Sequence, residues 1–149
     1  MPIFLARQMV KHQIGGTWSE LSRRYVDDGL EFWLPSEWHS RPDDVKQGSG
    51  DLAASQDFCI STAERITAQA HAAYTALRAE GVAPEEARIV LPHNLMTTVV
   101  WTGSLLFWTR VCNQRLDSHA QLAAQELAKH IEAIIQPRFP VSWAELVHA

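Results

Sequence analysis

The sequence predicts an α+β fold that is mostly helical, contains a small mixed or antiparallel sheet and forms a single domain over residues 1–149. A length of 149 residues is that of one ordinary domain. Residues 95–102, with two valines and three threonines, have β composition. Elsewhere apolar residues recur at three- and four-residue steps, which places them on one helix face. The clearest such run is Cys59, Ala63, Ile66, Ala70, Ala73 and Leu77.

The first third of the chain predicts one short helix followed by extended and irregular segments. Residues 2–13 are expected to be helical, since Pro2 suits a first helical turn, and Gly15 and Gly16 end the pattern. Residues 17–25 are either a strand or an extended hinge. Residues 26–50 are punctuated by glycine and proline and predict an irregular loop.

Helix-capping residues and helix-breaking glycines and prolines predict the remaining elements. Asp51 is a suitable N-cap for the long helix that Gly81 ends, and Pro84 opens a brief second helix. After the strand at 95–102, residues 104–114 predict a helix. A last long helix is expected to start at Asp117 or Ser118 and to stop at the prolines 137 and 140.

Composition excludes several classes of protein. Apolar residues make up 46% and charged residues 20%, which is a globular composition, and the net charge of −4 argues against a nucleic-acid partner. Two cysteines cannot form a disulfide framework or a four-cysteine zinc site. We expect a cytoplasmic protein without a signal peptide. Residues 89–109 lack charge but hold many polar groups, so we expect them to be buried rather than in a membrane.

Polar residues crowd together on either side of the two glycines. A serine hydroxyl beside arginine guanidinium groups suits a phosphate monoester, because guanidinium offers planar, permanently charged donors. A carboxylate in the cluster suits a sugar hydroxyl or an arginine. The alternative is a solvated, charged turn with ion pairs worth about 0–1 kcal/mol. The cluster comprises Gln8, Lys11, His12, Gln13, Glu20, Ser22, Arg23, Arg24 and Tyr25.

A second polar cluster lies near residue 117. Arg115 and His119 are four residues apart and share a face if they are helical. An ordinary helix N-cap with surface polar residues is the alternative. Arg88, before an apolar run, is either functional or a paired residue at a domain edge. No metal site is predicted, because His119 and His130 have no third ligand in the pattern.

Taken together, three segments resemble the flavin-dependent thymidylate synthases of the ThyX type. Residues 2–13 are similar to the lead-in and the Arg-His-Arg signature, with lysine and glutamine in place of its two arginines. Residues 19–25 resemble the Asn-Glu-x-Ser-x-Arg-Tyr motif. Residues 87–92 and 115–121 resemble the downstream blocks, at matching separation. The resemblance covers most of this chain, and the match begins near the middle of a full-length family member.

The resemblance implies a role for each matched residue, and a fold of the thymidylate synthase-complementing type. Arg115 and Ser22 would be catalytic, with Arg115 stabilising the anionic uracil, and Glu20 would lie between nucleotide and flavin. The residues implied in binding deoxyuridine monophosphate (dUMP) are Gln8, Lys11, Glu20, Ser22, Arg23, Arg24, Arg88 and Arg115. Those implied in binding FAD are Lys11, His12, Gln13, Ile14, Glu20 and His119.

The same resemblance implies the reaction and the partners. FAD is reduced by NADPH, methylenetetrahydrofolate provides the methylene unit, and dUMP becomes dTMP in a homotetramer whose sites are shared between subunits. At three further flavin-side positions the family has Asn, Arg and Asn where this chain has Ser104, Leu106 and Arg110. These changes leave two alternatives open, namely a related pyrimidine nucleotide C5-hydroxymethylase and a non-catalytic deoxynucleotide-binding subunit.

Overall fold

Helices dominate the computed structural model, which describes residues 1–22, 29–42 and 48–147. Within those ranges the two strands pair in one small antiparallel sheet, so the predicted α+β class is confirmed. The α-helices are α1 (Ile3–Met9), α2 (Gln56–Ala79), α3 (Pro84–Ala87), α4 (Leu105–Arg115), α5 (Leu122–Ile135) and α6 (Pro140–Leu146). The strands are β1 (Gly16–Glu20) and β2 (Val99–Gly103), and two short 3-10 helices span Arg88–Val90 and Gln136–Arg138.

Four predicted boundaries were wrong, and local hydrogen bonds explain two of them. The long helix α2 starts at Gln56 rather than after Asp51, because the carbonyl of Asp51 instead accepts the amide of Ser40 at 2.8 Å. The helix expected from Asp117 starts at Leu122, because the Asp117 carboxylate accepts the His119 amide at 2.7 Å and closes a local turn. The first helix ends at residue 9, and residues 95–98 precede the strand.

Specific residues explain where two of the helices start. Ser104 caps α4, since its hydroxyl accepts the Phe107 amide at 3.1 Å. Pro140 does not end helical structure as expected. It occupies the first turn of α6, where its missing N–H costs no intrahelical hydrogen bond.

The chain divides into two compact units. The first comprises residues 1–8, 19–38 and 52–100, and the second comprises 9–18, 39–51 and 101–149. The single-domain organisation expected from chain length stays a prediction. None of the helices in the described ranges has the length and apolarity needed to cross a membrane.

The segment at residues 93–97, a turn at 93–94 followed by bridge residues at 95 and 96, organises the first unit. Its backbone pairs on one edge with the start of the chain, where Ile3 donates to the Leu95 carbonyl at 2.9 Å and Thr97 donates to the Met1 carbonyl at 2.8 Å. On the other edge, Met96 donates to the Glu31 carbonyl at 2.8 Å. Residues 95 and 97 are both buried, as expected for alternate positions on an extended chain.

The core of the second unit lies between α4, α5 and α6. Trp143 is 2% exposed and packs with Cys112 and Val147, while Ala124 and Ala128 on α5 are fully buried. Small side chains on α5 let the helices approach closely. The ring of Phe107 lies against Gly103, where a Cβ would come within 2.1 Å of a ring carbon, so only glycine fits there.

Candidate functional site

The first unit contains an open cavity of about 930 Å³. This volume is at the upper end of the 300–1,000 Å³ that is usual for small-molecule sites. Three residues that the sequence predicted for the nucleotide line it, and these are Glu20, Ser22 and Arg88. Glu20 and Ser22 belong to one segment of the chain, and the tertiary structure brings Arg88 to them from a separate one.

Each of these three side chains is held at the end or the start of a regular element. Glu20 ends β1, and Ser22 follows it by two residues. Arg88 begins the 3-10 helix, and its Nε donates to the carbonyl of Glu85 at 3.1 Å. That bond orients the guanidinium and leaves its terminal N–H groups for a ligand, since arginine carries five donors.

The cavity combines an apolar floor with a charged rim. Leu95 and Thr97 are 1% and 5% exposed and form part of the floor, together with Ile3 and Leu91. Arg88 and the carboxylates of Glu85 and Glu86 are exposed at the rim. A ring system matches the apolar floor. At the rim, the Arg88 guanidinium attracts an anionic group and the two carboxylates repel it.

Arg7 and His93 also line the cavity, and sequence reasoning missed both roles. Arg7 Nη1 lies 2.9 Å from His93 Nε2. Arginine can only donate, so Nε2 is the acceptor in this contact. A signal for Arg7 was present, because Ile3 and Arg7 are four residues apart on α1 and therefore share its face.

A hydrogen-bonded pair of predicted residues lies in the second unit. Arg115, the last residue of α4, donates from Nε to His12 Nε2 at 2.9 Å. Partial burial, and secondarily the positive charge of Arg115, lower the pKa of His12. His12 therefore stays neutral near pH 7 and acts as an acceptor that orients the guanidinium.

The contact between Arg115 and His12 predicts a measurable change in the pKa of His12. In Arg115→Gln we expect the pKa of His12 to rise toward its ordinary value of about 6.5, because the neighbouring positive charge is removed. Histidine NMR resonances followed over pH 4–8 measure the shift, and Arg110→Gln, an exposed arginine on the same helix, is the control. An unchanged His12 pKa in Arg115→Gln would contradict the described contact.

The lowered pKa of His12 also determines how the stability of the folded chain changes with pH. The unfolded chain binds the proton at a higher pH than the folded chain does, so protonation favours unfolding. The stability linked to neutral His12 is present above pH 6.5 and is lost as the pH falls from there toward the folded-state pKa.

Aromatic side chains cluster around the first turn of α4, and the sequence analysis did not predict this cluster. Trp101 makes edge-to-face contacts with Trp18, Phe107 and Trp108 at centroid distances of 5.1, 5.3 and 4.9 Å. The His12 ring lies 6.4 Å from Trp101. Such pairs contribute about 0.5–1.5 kcal/mol beyond area burial, so this cluster holds β2 and α4 in place behind the Arg115–His12 pair.

Other predicted residues lie on the surface of the second unit. Lys11 and Gln13 are exposed, and Ile14 is 80% exposed. His119 Nδ1 lies 2.9 Å from the Asp117 carboxylate, and the His119 backbone amide is the main cause of a lowered Asp117 pKa. Gln8 is half-buried on α1, in the first unit. Arg23 and Arg24 lie outside the described residues.

Cysteine and metal chemistry receive little support. Cys112 is fully buried, and burial followed by the charge of Glu132 raises the pKa of its thiol to about 12. A thiol with that pKa is not a nucleophile near neutral pH. Across residues 1–22, 29–42 and 48–147, no group of three His, Cys, Asp or Glu side chains could hold a metal ion.

Comparison of the fold with solved structures gives a clear match. The crystal structure of a UMP/dUMP methylase, PolB from Streptomyces cacaoi bound with 5-Br dUMP, superimposes with a TM-score of 0.77. It is 24% identical, and the match covers 98% of this chain and 63% of that chain. At this identity the likeness shows the fold alone.

Sequence comparisons identify the family. A flavin-dependent thymidylate synthase of Thermus thermophilus is 34% identical over 143 residues, which are 96% of this chain and 52% of that protein. One of Kosmotoga olearia is 33% identical over 146 residues, covering 96% of this chain and 63% of that protein. The chain thus spans about half to two thirds of the length of these relatives. The family model described as thymidylate synthase complementing protein matches residues 1–141. The resemblance drawn from the motifs is confirmed, and the chain belongs to the thymidylate synthase complementing protein family.

Proposed function

We propose that this chain converts dUMP to dTMP by reductive methylation at carbon 5 of uracil. When bound, reduced FAD would supply the hydride, with NADPH as its reductant and methylenetetrahydrofolate as the source of the methylene unit. The proposal is supported by family membership and by the names of the relatives. The observation that carries it is the cavity lined by Glu20, Ser22 and Arg88, which belong to the motifs matched to nucleotide binding.

The chemistry of the cavity suits a nucleoside monophosphate. The Arg88 guanidinium and the Ser22 hydroxyl would bind the phosphate, and the Glu20 carboxylate would accept a hydrogen bond from the sugar. Arg23 and Arg24, which follow Ser22 directly, would add charge to the same phosphate. Gln8 and Lys11 complete the proposed set of nucleotide-binding residues.

Arg115 would perform the electrostatic part of catalysis. Carbon 5 of uracil is a poor nucleophile, and a fixed guanidinium beside the ring stabilises the negative charge that develops on reaction. Because neutral His12 accepts from Nε, this hydrogen bond restricts the orientation of the Arg115 guanidinium before a substrate binds. We propose a homotetramer in which residues from several subunits form each site.

The residues on the proposed flavin side offer both apolar surface and hydrogen-bond donors, which suit a flavin. Ile14, which is 80% exposed, offers apolar surface to a planar ring, and the neighbouring Lys11 and Gln13 offer donors. Lysine keeps positive charge but lacks the planar fork of arginine, and glutamine is neutral. His12, Glu20 and His119 are the remaining residues proposed to contact FAD.

The purified protein tests this function directly. We expect a yellow protein, or one that gains flavin absorbance when FAD is added, and release of tritium from the uracil 5-position with NADPH and methylenetetrahydrofolate. A protein that stays colourless after incubation with FAD and releases no tritium would overturn the proposal. Mass analysis of the product separates methylation from hydroxymethylation. Calorimetric binding of dUMP without turnover would instead identify a non-catalytic deoxynucleotide-binding subunit.

A further inference from the structure

A second guanidinium, that of Arg7, lines the same cavity as Arg88. Arg7 is exposed on α1, and Ile3, which shares its face of the helix, lines the cavity as well. Arg7 Nη1 donates to His93 Nε2 at 2.9 Å, and this contact leaves the other N–H groups for a ligand. Within the described residues Arg7 makes no ion pair with a carboxylate, so its charge is available to an anion.

His93 connects to α1 through both its backbone and its side chain. The His93 carbonyl accepts the Phe4 amide at 2.9 Å, and the imidazole accepts from Arg7 about one helical turn later. The backbone hydrogen bond holds residue 93 against the start of α1, and the side-chain hydrogen bond restricts the guanidinium. A ligand would therefore meet a cation whose orientation is already restricted, which reduces the entropy lost on binding.

The charges that line the cavity create a need for a second cation. A phosphate monoester carries about 1.5 to 2 negative charges near pH 7. Arg88 supplies one positive charge, but Glu85 and Glu86 lie beside it at the rim, and Glu20 lines the cavity too. These carboxylates oppose an anion, so Arg88 needs support from further positive charge. Among the described residues that line the cavity, Arg7 is the other arginine.

We infer that Arg7 is a further binding residue for the phosphate of the pyrimidine nucleotide, and that His93 is its positioning residue. This inference rests on the proposed function. The guanidinium would donate to phosphate oxygens, and charge-assisted hydrogen bonds of this kind are among the strongest in proteins. Arg7 is not among the residues that the motifs imply for dUMP binding, and its place at the cavity is what points to this role.

Calorimetry with dUMP and with deoxyuridine tests the role of Arg7. Arg7→Gln should bind dUMP at least about 10-fold more weakly, as expected for the loss of a hydrogen bond to a charged group. Its affinity for deoxyuridine should not change, because that ligand has no phosphate. Arg65→Gln is the matched control. It removes the same charge at an exposed position on α2 that does not line the cavity, and it should leave both affinities unchanged.

Two substitutions of His93 test whether it positions Arg7. His93→Gln keeps an acceptor oxygen and should retain the dUMP affinity of the wild type. His93→Leu removes the acceptor and should weaken dUMP binding by about 2- to 10-fold, with deoxyuridine affinity unchanged. If the contact only stabilised the fold, Arg7→Gln and His93→Leu would lower Tm, while the folded variants would bind dUMP as the wild type does. That result would overturn the inference.

Three further outcomes would count against the role of Arg7. Equal losses for dUMP and deoxyuridine in Arg7→Gln would show a disturbed cavity rather than a lost phosphate contact. Weaker binding of methylenetetrahydrofolate with unchanged dUMP affinity would assign Arg7 to the carboxylates of that co-substrate. Both results overturn the inference and leave the proposed function in place. Failure of the wild type itself to bind dUMP would overturn the inference and the proposed function together.

Discussion

Replacing Arg115 with glutamine is expected to lower turnover of dUMP by about 10²–10³-fold, or about 3–4 kcal/mol of transition-state stabilisation. The side chain is held by its hydrogen bond to His12 at 2.9 Å, so the guanidinium is oriented before the substrate arrives. Glutamine ends where the arginine Nε lies, so it lacks the rest of the guanidinium and carries no charge. Since the charge on uracil develops only during reaction, kcat should fall more than KM rises. Tritium release at saturating dUMP measures the effect.

Arg65→Gln is the matched control for this experiment. Arg65 is an exposed arginine on α2 to which no role is assigned, so the substitution changes the net charge equally and should leave kcat within a factor of two or three. Circular dichroism should show both variants folded. Normal turnover by Arg115→Gln would mean that residues 115–121 do not correspond to the family's catalytic block.

Replacing Trp143 with alanine is expected to reduce the free energy of unfolding by about 3–5 kcal/mol. The indole is 2% exposed and forms a cluster with Cys112 and Val147, and the partly buried residues Trp108 and Leu116 pack against this cluster. Its Nε1 donates to the Glu132 carboxylate at 3.3 Å. Alanine would leave a large void among α4, α5 and α6, which the surrounding helices can fill only in part.

Urea denaturation measures the change, with Val141→Ala as control. Val141 lies on the same helix as Trp143 but is 77% exposed, so its truncation should change stability by no more than about 0.5 kcal/mol. A Trp143→Ala loss as small as that of Val141→Ala would show that α6 does not complete the core of the second unit. Because α4 carries Arg115, we also expect Trp143→Ala to lower activity at temperatures where it remains folded.

Local patterns predicted the elements that depend on local physics. The apolar steps predicted α2, and residues 104–114 predicted α4 to within one residue, because helical hydrogen bonds join neighbours within a few residues. The start of the last long helix was wrong because Asp117 closes a turn with His119 instead of capping a helix, and both motifs use the same aspartate chemistry. Helix α6 was missed because Pro140 was interpreted as a terminator.

The residues of the candidate site also divide into those that the motifs predicted and those that only the tertiary structure shows. Glu20, Ser22 and Arg88 could be named from motifs, and the cavity lined by all three agrees with that grouping, while their roles stay predictions. A signal for Arg7 was present on the face of α1, but His93 could not be named, because its position at the cavity depends on how residues 93–97 pair with residues 1–4 and 31.

By itself, the sequence determined the family of this protein and the residue types available for binding an anionic pyrimidine nucleotide, because the order and spacing of the motifs are visible without a structure. It also determined the main helices, whose hydrogen bonds are local. Only the tertiary structure decided which side chains share a cavity and that His12 is the acceptor for Arg115. Those facts depend on contacts between segments up to about a hundred residues apart, and no local propensity encodes such contacts.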